Sequence, residues 1–212
     1  MKAFILLLII PLLFPVYAND ELIIDDFADS MSNRWKKEVF NQETIYEITH
    51  YQSQPALSAI SKNSASGLIY TYTIDLNKTP WLNWSWAIDQ GLPKTNERIK
   101  SGDDFAARVY IIHSGGLQFW NTRSLSYVWS SSADIGQHWP SPFTNQAHMF
   151  VLRSGDKRSK RWTNEKRNIK QDFERVFGEA IDKIHAIAIM TDTDNTGQMS
   201  QAYYGKIFFT SQ

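Results

Sequence analysis

The sequence predicts a mainly β protein: a two-sheet, jelly-roll-like β-sandwich with one packed amphipathic helix near residues 164–178. Three observations predict it. About ten short segments alternate apolar and polar residues with the period of two of a half-buried strand. Clusters of Gly, Pro, Ser, Asn and Asp separate them, as turns do in all-β sandwiches. One stretch alone changes to a helical period.

Taken along the chain, ETIYEITHY sets Ile45 and Glu47 on one face and Tyr46 and Ile48 on the other. GLIYTYTID is a second β-branched and aromatic run. In WLNWSWAID, Leu82, Trp84, Trp86 and Ile88 share one face and Asn83 and Ser85 the other, so two tryptophans are expected in a sheet core. In DFAARVYIIH, Phe105, Ala107, Val109 and Ile111 oppose Ala106, Arg108 and Tyr110. LSYVWSS and AHMFVLR read as further strands. TNEKRNIKQDFERVFGE then places Ile169, Phe173, Val176 and Phe177 at i, i+4, i+7 and i+8, an apolar stripe along one side of a helix. Thr163 or Asn164 is expected to cap its start, and Gly178 to end it in the left-handed conformation. No internal repeat or low-complexity linker interrupts the chain, so residues 19–212 are expected to form a single β-sandwich domain.

Residues 1–18, MKAFILLLIIPLLFPVYA, have the form of a secretory signal peptide. Lys2 precedes an apolar run, and Val16-Tyr17-Ala18 puts small residues where a signal peptidase cuts. The run is short for a membrane span, so an uncleaved anchor is the lesser alternative. The expected location is exported, periplasmic or secreted, with no integral membrane segment after cleavage. The chain has 22 basic and 22 acidic residues, a balance that gives no general attraction to nucleic acid. It has no cysteine, which excludes a disulfide framework, a thiol nucleophile and a thiolate metal site.

Several of these stretches together resemble a known family. IIDDF, GDDFAARVYII, LSYVWSS, the W-x-x-E-x-R-N-I-x-x-D-F-x-x-x-FG run and AIAIMTDTDNTG followed by AYYGKIFF are similar to the secreted bacterial family known as domain of unknown function 3047. The likeness covers nearly the whole chain after residue 18. It implies no activity, because that family has none established. More loosely, IDDF, the following Trp35 and the closing strand–turn–strand resemble galactose-binding-like jelly rolls, which include carbohydrate-binding modules. Where such modules often carry an acidic residue in the closing strand, this chain has Gly205-Lys206-Ile207.

TDTDNTG contains Asp192, Asp194, Asn195 and Gly197, an alternation of oxygen side chains that resembles the start of a calcium loop. An EF-hand needs a bidentate Glu at the twelfth position, and counting from Asp192 that position is Tyr203. The favoured reading is a turn with Gly197 at positive φ; a looser calcium site on Asp192 and Asp194 is the weaker alternative, and no cofactor is expected. Asp103 and Asp104 precede a strand, where a polar turn is favoured over a catalytic pair. A pairing of either with Asp192 or Asp194 is possible but has no support in the sequence. Arg108 in mid-strand is expected to pair with a buried carboxylate, with ligand contact as the alternative. Asp172 and Arg167 are expected as a surface pair.

Sugar rings present C–H faces that stack on indole, and their hydroxyls need polar neighbours. Trp120, Trp129, Trp139 and Trp162 lie in or beside polar stretches and are therefore candidate saccharide platforms, with core packing as the alternative. Residues 153–170 carry eight basic and two acidic residues, a solvated face or a contact for an anionic partner. His50, His113, His138, His148 and His185 show no metal-ligand spacing, and no G-x-S-x-G occurs.

The function expected from these residues is non-catalytic binding of a saccharide or envelope glycan, with Trp120, Trp129, Trp139, Trp162 and Arg108 as the ligand-contacting set. The alternatives are a polysaccharide hydrolase or lyase working through Asp carboxylates, and a structural partner of another envelope protein. Catalysis is left open and not favoured.

Overall fold

The computed structural model describes residues 21–117 and 121–212. Thirteen strands among these residues form two sheets. Sheet A has the order β11 (Thr163–Asn168), β6 (Trp81–Ile88), β13 (Met199–Thr210), β4 (Gln54–Lys62), β3 (Ile45–Tyr51), with β1 (Leu22–Asp25) also paired to β13. Sheet B runs β2 (Trp35–Asn41), β5 (Ala65–Asp75), β12 (Lys183–Met190), β7 (Ala107–His113), β8 (Arg123–Ser130), β10 (Thr144–Ser154), β9 (His138–Ser141). All pairings are antiparallel except β8 with β10.

The period-two pattern fixes which side of each strand faces the other sheet. Leu82, Trp84, Trp86 and Ile88 of sheet A and Val109, Ile111, Leu125, Tyr127 and Trp129 of sheet B belong to one buried cluster between the layers. Trp86 meets Trp129 at 5.8 Å and Trp84 stacks on Tyr127 at 5.4 Å, so the indoles of β6 bridge the two sheets. Asp25 locks the entry of the chain. Its carboxylate accepts from the amides of Phe27 and Ser32 and from Trp35 Nε1, at 2.8–2.9 Å. The IDDF stretch and Trp35 are thus a structural clasp.

The expected helix is corrected at its start. Residues 163–168 form β11, in register with Trp86 to Trp81 of β6, and only α1 (Ile169–Phe177) is helical. Edge pairing captures these six residues because Thr163 and Glu165 turn inward, where Glu165 accepts from Trp86 Nε1 at 2.9 Å. The cap is therefore Asn168, whose side chain accepts from Gln171 N, and not Thr163 or Asn164. Gly178 ends the helix at φ 73°. Ile169 and Phe173 enter the main core, and Val176 and Phe177 pack against it. Asp172 is not a surface group: it is buried, accepts from the core Tyr127 hydroxyl at 2.6 Å and pairs with Arg167. Among the described residues no helix is long and apolar enough to cross a membrane.

Candidate functional site

Sheet B carries a second, smaller core on its outer face. Phe105, Val128, Trp139, Met149 and Val151 pack there, with the 3-10 turn Lys100–Gly102 lying in the segment that leads to Phe105. Glu97 ties this segment down by accepting from Ser130 Oγ at 2.6 Å and Ser131 N at 2.5 Å. Beside the small core the face opens into a cavity of about 410 Å³. Arg108 and Tyr110 line it because they alternate with the inward Ala107, Val109 and Ile111.

The cavity floor is charged and buried. Arg108 donates from Nε to Asp192 Oδ1 at 2.7 Å and from Nη2 to Asp192 Oδ2, and it bonds the Asp103 carbonyl at 2.5 Å. Burial opposes the Arg108 charge, but Asp192 above all more than offsets it and raises its pKa. The expectation of a buried ion pair at Arg108 fits this geometry. Asp104 serves the neighbouring loop: its two oxygens accept from the amides of Asn195 and Thr196, the Asn195 amide side chain and the Thr196 hydroxyl, at 2.6–3.2 Å. Residues 194–197 form the turn, with Gly197 at φ 66°. A turn thus accounts for the glycine, while the aspartates of TDTDNTG bond tertiary partners more than their own loop.

The structure brings Asp104 together with Asp192 and Asp194, whose oxygens lie within 4.8 Å of one another. That spacing could hold a cation. However, Arg108, Asn195 and Thr196 already donate to Asp192 and Asp104, and Asn41 and Asn195 donate to Asp194 at 3.2–3.3 Å. Asp103 is the exception in the group. It is 4% exposed, its Oδ2 stands 3.7 Å from Arg108 Nη1, and among the described residues no donor reaches its Oδ1. Burial pushes its carboxyl up to about 6, with Arg108 pulling the other way and Asp104, Glu97 and Asp194 adding to the rise.

Two phenyl rings complete the cavity. Phe40, from edge strand β2, is 66% exposed, and Phe143, from the turn joining β9 to β10 at the opposite edge, is 56% exposed. Neither is in the sequence-predicted set. Each is a lone phenyl in a largely polar stretch, EVFNQ and SPFTN, and that isolation is the signal that could have found them.

The predicted tryptophans are placed elsewhere. Trp129 is 1% exposed in the main core, with Nε1 donating to the Gly155 carbonyl. Trp139 is 4% exposed in the small core, under the Arg98 guanidinium at 4.4 Å. For these two the expected stacking platform is corrected: their polar sequence neighbours Ser130, Ser131 and Ser141 are themselves buried, so they do not signal solvent. Trp162 is half-buried on the outer face of sheet A, against Tyr51. Trp120 lies outside the described residues, as do residues 1–18. Among the described residues, Arg108 is the one predicted ligand residue that lines the cavity.

Among solved structures, the chain is similar to the family 30 carbohydrate-binding module of a cellulosomal cellulase of Clostridium thermocellum, at 9% identity and TM-score 0.50, covering 91% of this chain and 98% of that one. An endoglucanase from Rhodothermus marinus matches at 10% identity and TM-score 0.45, over 90% and 99% of the two chains. At such identities the likeness to the module shows the fold alone. No curated protein matches the chain. The model of the family described as "Protein of unknown function (DUF3047)" matches residues 33–208, and the chain belongs to that family.

Proposed function

We propose that the protein is a non-catalytic saccharide-binding protein and that the outer-face cavity of sheet B is its binding site. The observation that carries the reading is one cavity lined both by two exposed phenyl rings and by the buried polar side chains of Asp103, Arg108 and Asp192. A sugar ring offers C–H faces for Phe40 and Phe143 and hydroxyls for Asp103, Asp194 and Asn195. The cavity is of the size that takes a small ligand. The resemblance in fold to a carbohydrate-binding module agrees with the choice of ligand class. The same reading puts the protein outside the cytoplasm, supported by the sequence of residues 1–18.

The carboxylates favour binding over hydrolysis. Asp104, Asp192 and Asp194 accept bonds at both oxygens from protein donors, which leaves Asp103 without a second unengaged carboxylate of the kind glycoside cleavage needs across the substrate. A glycan array followed by calorimetry on residues 19–212 tests the reading. The expected result is weak binding of oligosaccharides, lost in the double variant Phe40→Ala, Phe143→Ala with the melting temperature preserved. Release of reducing ends from the bound glycan, abolished by Asp103→Asn, would instead make the protein a hydrolase.

A further inference from the structure

The basic run of residues 153–170 divides into two parts. Arg153, Arg167 and Lys170 pair with Glu165, Asp172 and Asp182. Lys157, Arg158, Lys160 and Arg161 are exposed, and among the described residues none of them forms an ion pair. Four such cations in five positions are usually no more than a solvated loop. Here the backbone that carries them is fixed to the fold. Gly155 donates to the Ser130 carbonyl and accepts from Trp129 Nε1, both at 3.0 Å. The Asp156 carboxylate accepts from the Gly91 amide. The Lys160 amide donates to the Ile88 carbonyl and its carbonyl accepts from Gln52 Nε2, both at 2.7 Å. Lys160 is held at φ 58°, a conformation that glycine or asparagine adopts more easily than lysine.

The start of this loop borders a second, smaller cavity of about 130 Å³, lined by Trp129, Ile135, Arg153, Ser154, Lys157 and Arg158, with no acid among them. Arg153 is its rigid member. Its Nε and Nη2 fork onto Glu165 at 2.7 and 2.9 Å, and Glu165 is itself held by Trp86 Nε1. Arg153 Nη1 has no acceptor among the described residues, and the side chain keeps 24% of its surface exposed. Glu165 balances the Arg153 charge, which leaves Lys157 and Arg158 uncompensated. The acids nearest in sequence, Asp156 and Asp134, accept from the Gly91 amide and from Gln137 Nε2. Ordinary ligand pockets begin at about 300 Å³, so this one suits a single compact charged group and not a whole sugar ring.

We propose, building on the saccharide-binding reading, that Arg153, Lys157 and Arg158 form a separate subsite for a sulfate or phosphate group carried on the saccharide. Guanidinium and ammonium donors match such oxyanions, and bonds between charged partners are roughly twice as strong as neutral ones. A loop already fixed by its backbone bonds loses little freedom when the anion arrives. A nucleic acid or a bilayer fits less well as the source of the anion. The whole chain has 22 basic and 22 acidic residues, so the positive charge is confined to this patch. Ile135 is the one exposed large apolar side chain among those lining the cavity, too little to enter a bilayer.

Calorimetry at neutral pH and low salt, on residues 19–212, compares sulfated with plain oligomers of β-1,4-linked glucose; inorganic sulfate and phosphate, as competitors, tell the two groups apart. The sulfated oligomer should bind about tenfold more tightly, the size of one hydrogen bond to a charged group, and the gap should shrink as salt is raised. The double variant Lys157→Gln, Arg158→Gln changes two exposed side chains, so it should keep the melting temperature and erase the gap. The control Lys36→Gln, Lys62→Gln removes the same charge at two other exposed positions and should leave the gap in place. Equal loss in both double variants would reduce the effect to net charge and overturn the subsite. Tighter binding of anionic phospholipid vesicles or of a DNA oligomer than of the sulfated sugar would overturn the saccharide as its carrier. Equal binding of sulfated and plain oligomers would overturn the inference and leave the sheet B reading standing. Binding of the sulfated oligomer alone, lost with Lys157 and Arg158, would uphold the subsite and overturn the sheet B reading.

Discussion

The outer faces of the two sheets both carry aromatic side chains, and they use them differently. On sheet A, Tyr51 and Tyr203 lie face to face with centroids 3.8 Å apart, and Trp162 meets Tyr51 edge-on at 5.7 Å. The Trp162 Nε1–H is taken by the Tyr51 carbonyl at 3.1 Å. Gly205 makes the arrangement possible, since a Cβ there would collide with Ser85 Oγ and meet the Trp162 ring at 3.4 Å. On sheet B, among the described residues, Phe40 and Phe143 have no aromatic partner and Asp103 Oδ1 meets no donor, while Lys100 Nζ stands 5.2 Å from the Phe143 ring centroid. The lesson is that aromatic content does not by itself make a binding face. What matters is whether ring faces and polar atoms are already occupied by the protein's own neighbours. Sheet A's outer rings brace one another, whereas Phe40 and Phe143 stand exposed beside the cavity of sheet B.

This contrast is broken most severely at Arg108. Arg108→Met leaves Asp192 buried without its partner and should cost about 3–5 kcal/mol in denaturant unfolding. A loss below about 1 kcal/mol, as for an exposed pair, would mean that the cavity floor is wetter and looser than its geometry indicates.

A smaller effect separates the two faces by pH. The Asp103 carboxyl sits at about 6 in the folded protein, against about 3.9 when exposed. Between those values the folded state binds more protons than the unfolded state, so this contribution is present at acid pH and is lost as pH rises through about 6. Unfolding free energies of wild type and Asp103→Asn should therefore diverge by on the order of 2–3 kcal/mol between the two ends of that window, with wild type relatively weaker at the upper end. Parallel curves would show that Asp103 is not desolvated. No such divergence is expected for Tyr51→Phe on sheet A.

Gly205→Ala sharpens the comparison from the other side. Crowding Ser85 and Trp162 should cost about 1–2 kcal/mol, as overpacking does, while saccharide binding stays unchanged. Binding lost together with the sheet A cluster would reverse the assignment of the two faces.

Much of the sandwich was legible in the sequence, and the reasons are local. Trp84 and Trp86 declare themselves by alternating with Leu82 and Ile88, and the α1 stripe by Ile169, Phe173, Val176 and Phe177. β11 was not legible, because its inward residues are Thr163 and Glu165. Only the distant partners Trp86 and Arg153 make Glu165 a buried group. The candidate site divides in the same way. Arg108 stands out as a lone charge in an apolar strand, and a buried partner follows from the cost of leaving it unpaired. That the partner is Asp192, 84 positions along the chain, is decided by the pairing of β7 with β12. Trp129 misled because its neighbours Ser130 and Ser131 are buried as donors to Glu97, and Trp139 because its own Nε1 donates to the Glu97 carbonyl, contacts that no local pattern reveals. Phe40 and Phe143 come from opposite edges of a seven-stranded sheet, and only the fold brings them to one cavity.

The most direct test of the central claim is residue-resolved. Amide and side-chain chemical shifts of residues 19–212 would be followed by NMR during titration with an oligosaccharide that binds in calorimetry. If sheet B holds the ligand, the largest shifts fall on Phe40, Asp103, Tyr110, Phe143 and Asn195, while Tyr51, Trp162 and Tyr203 stay in place. Shifts concentrated on Tyr51, Trp162 and Tyr203, with Phe40 and Phe143 unmoved, would contradict the account.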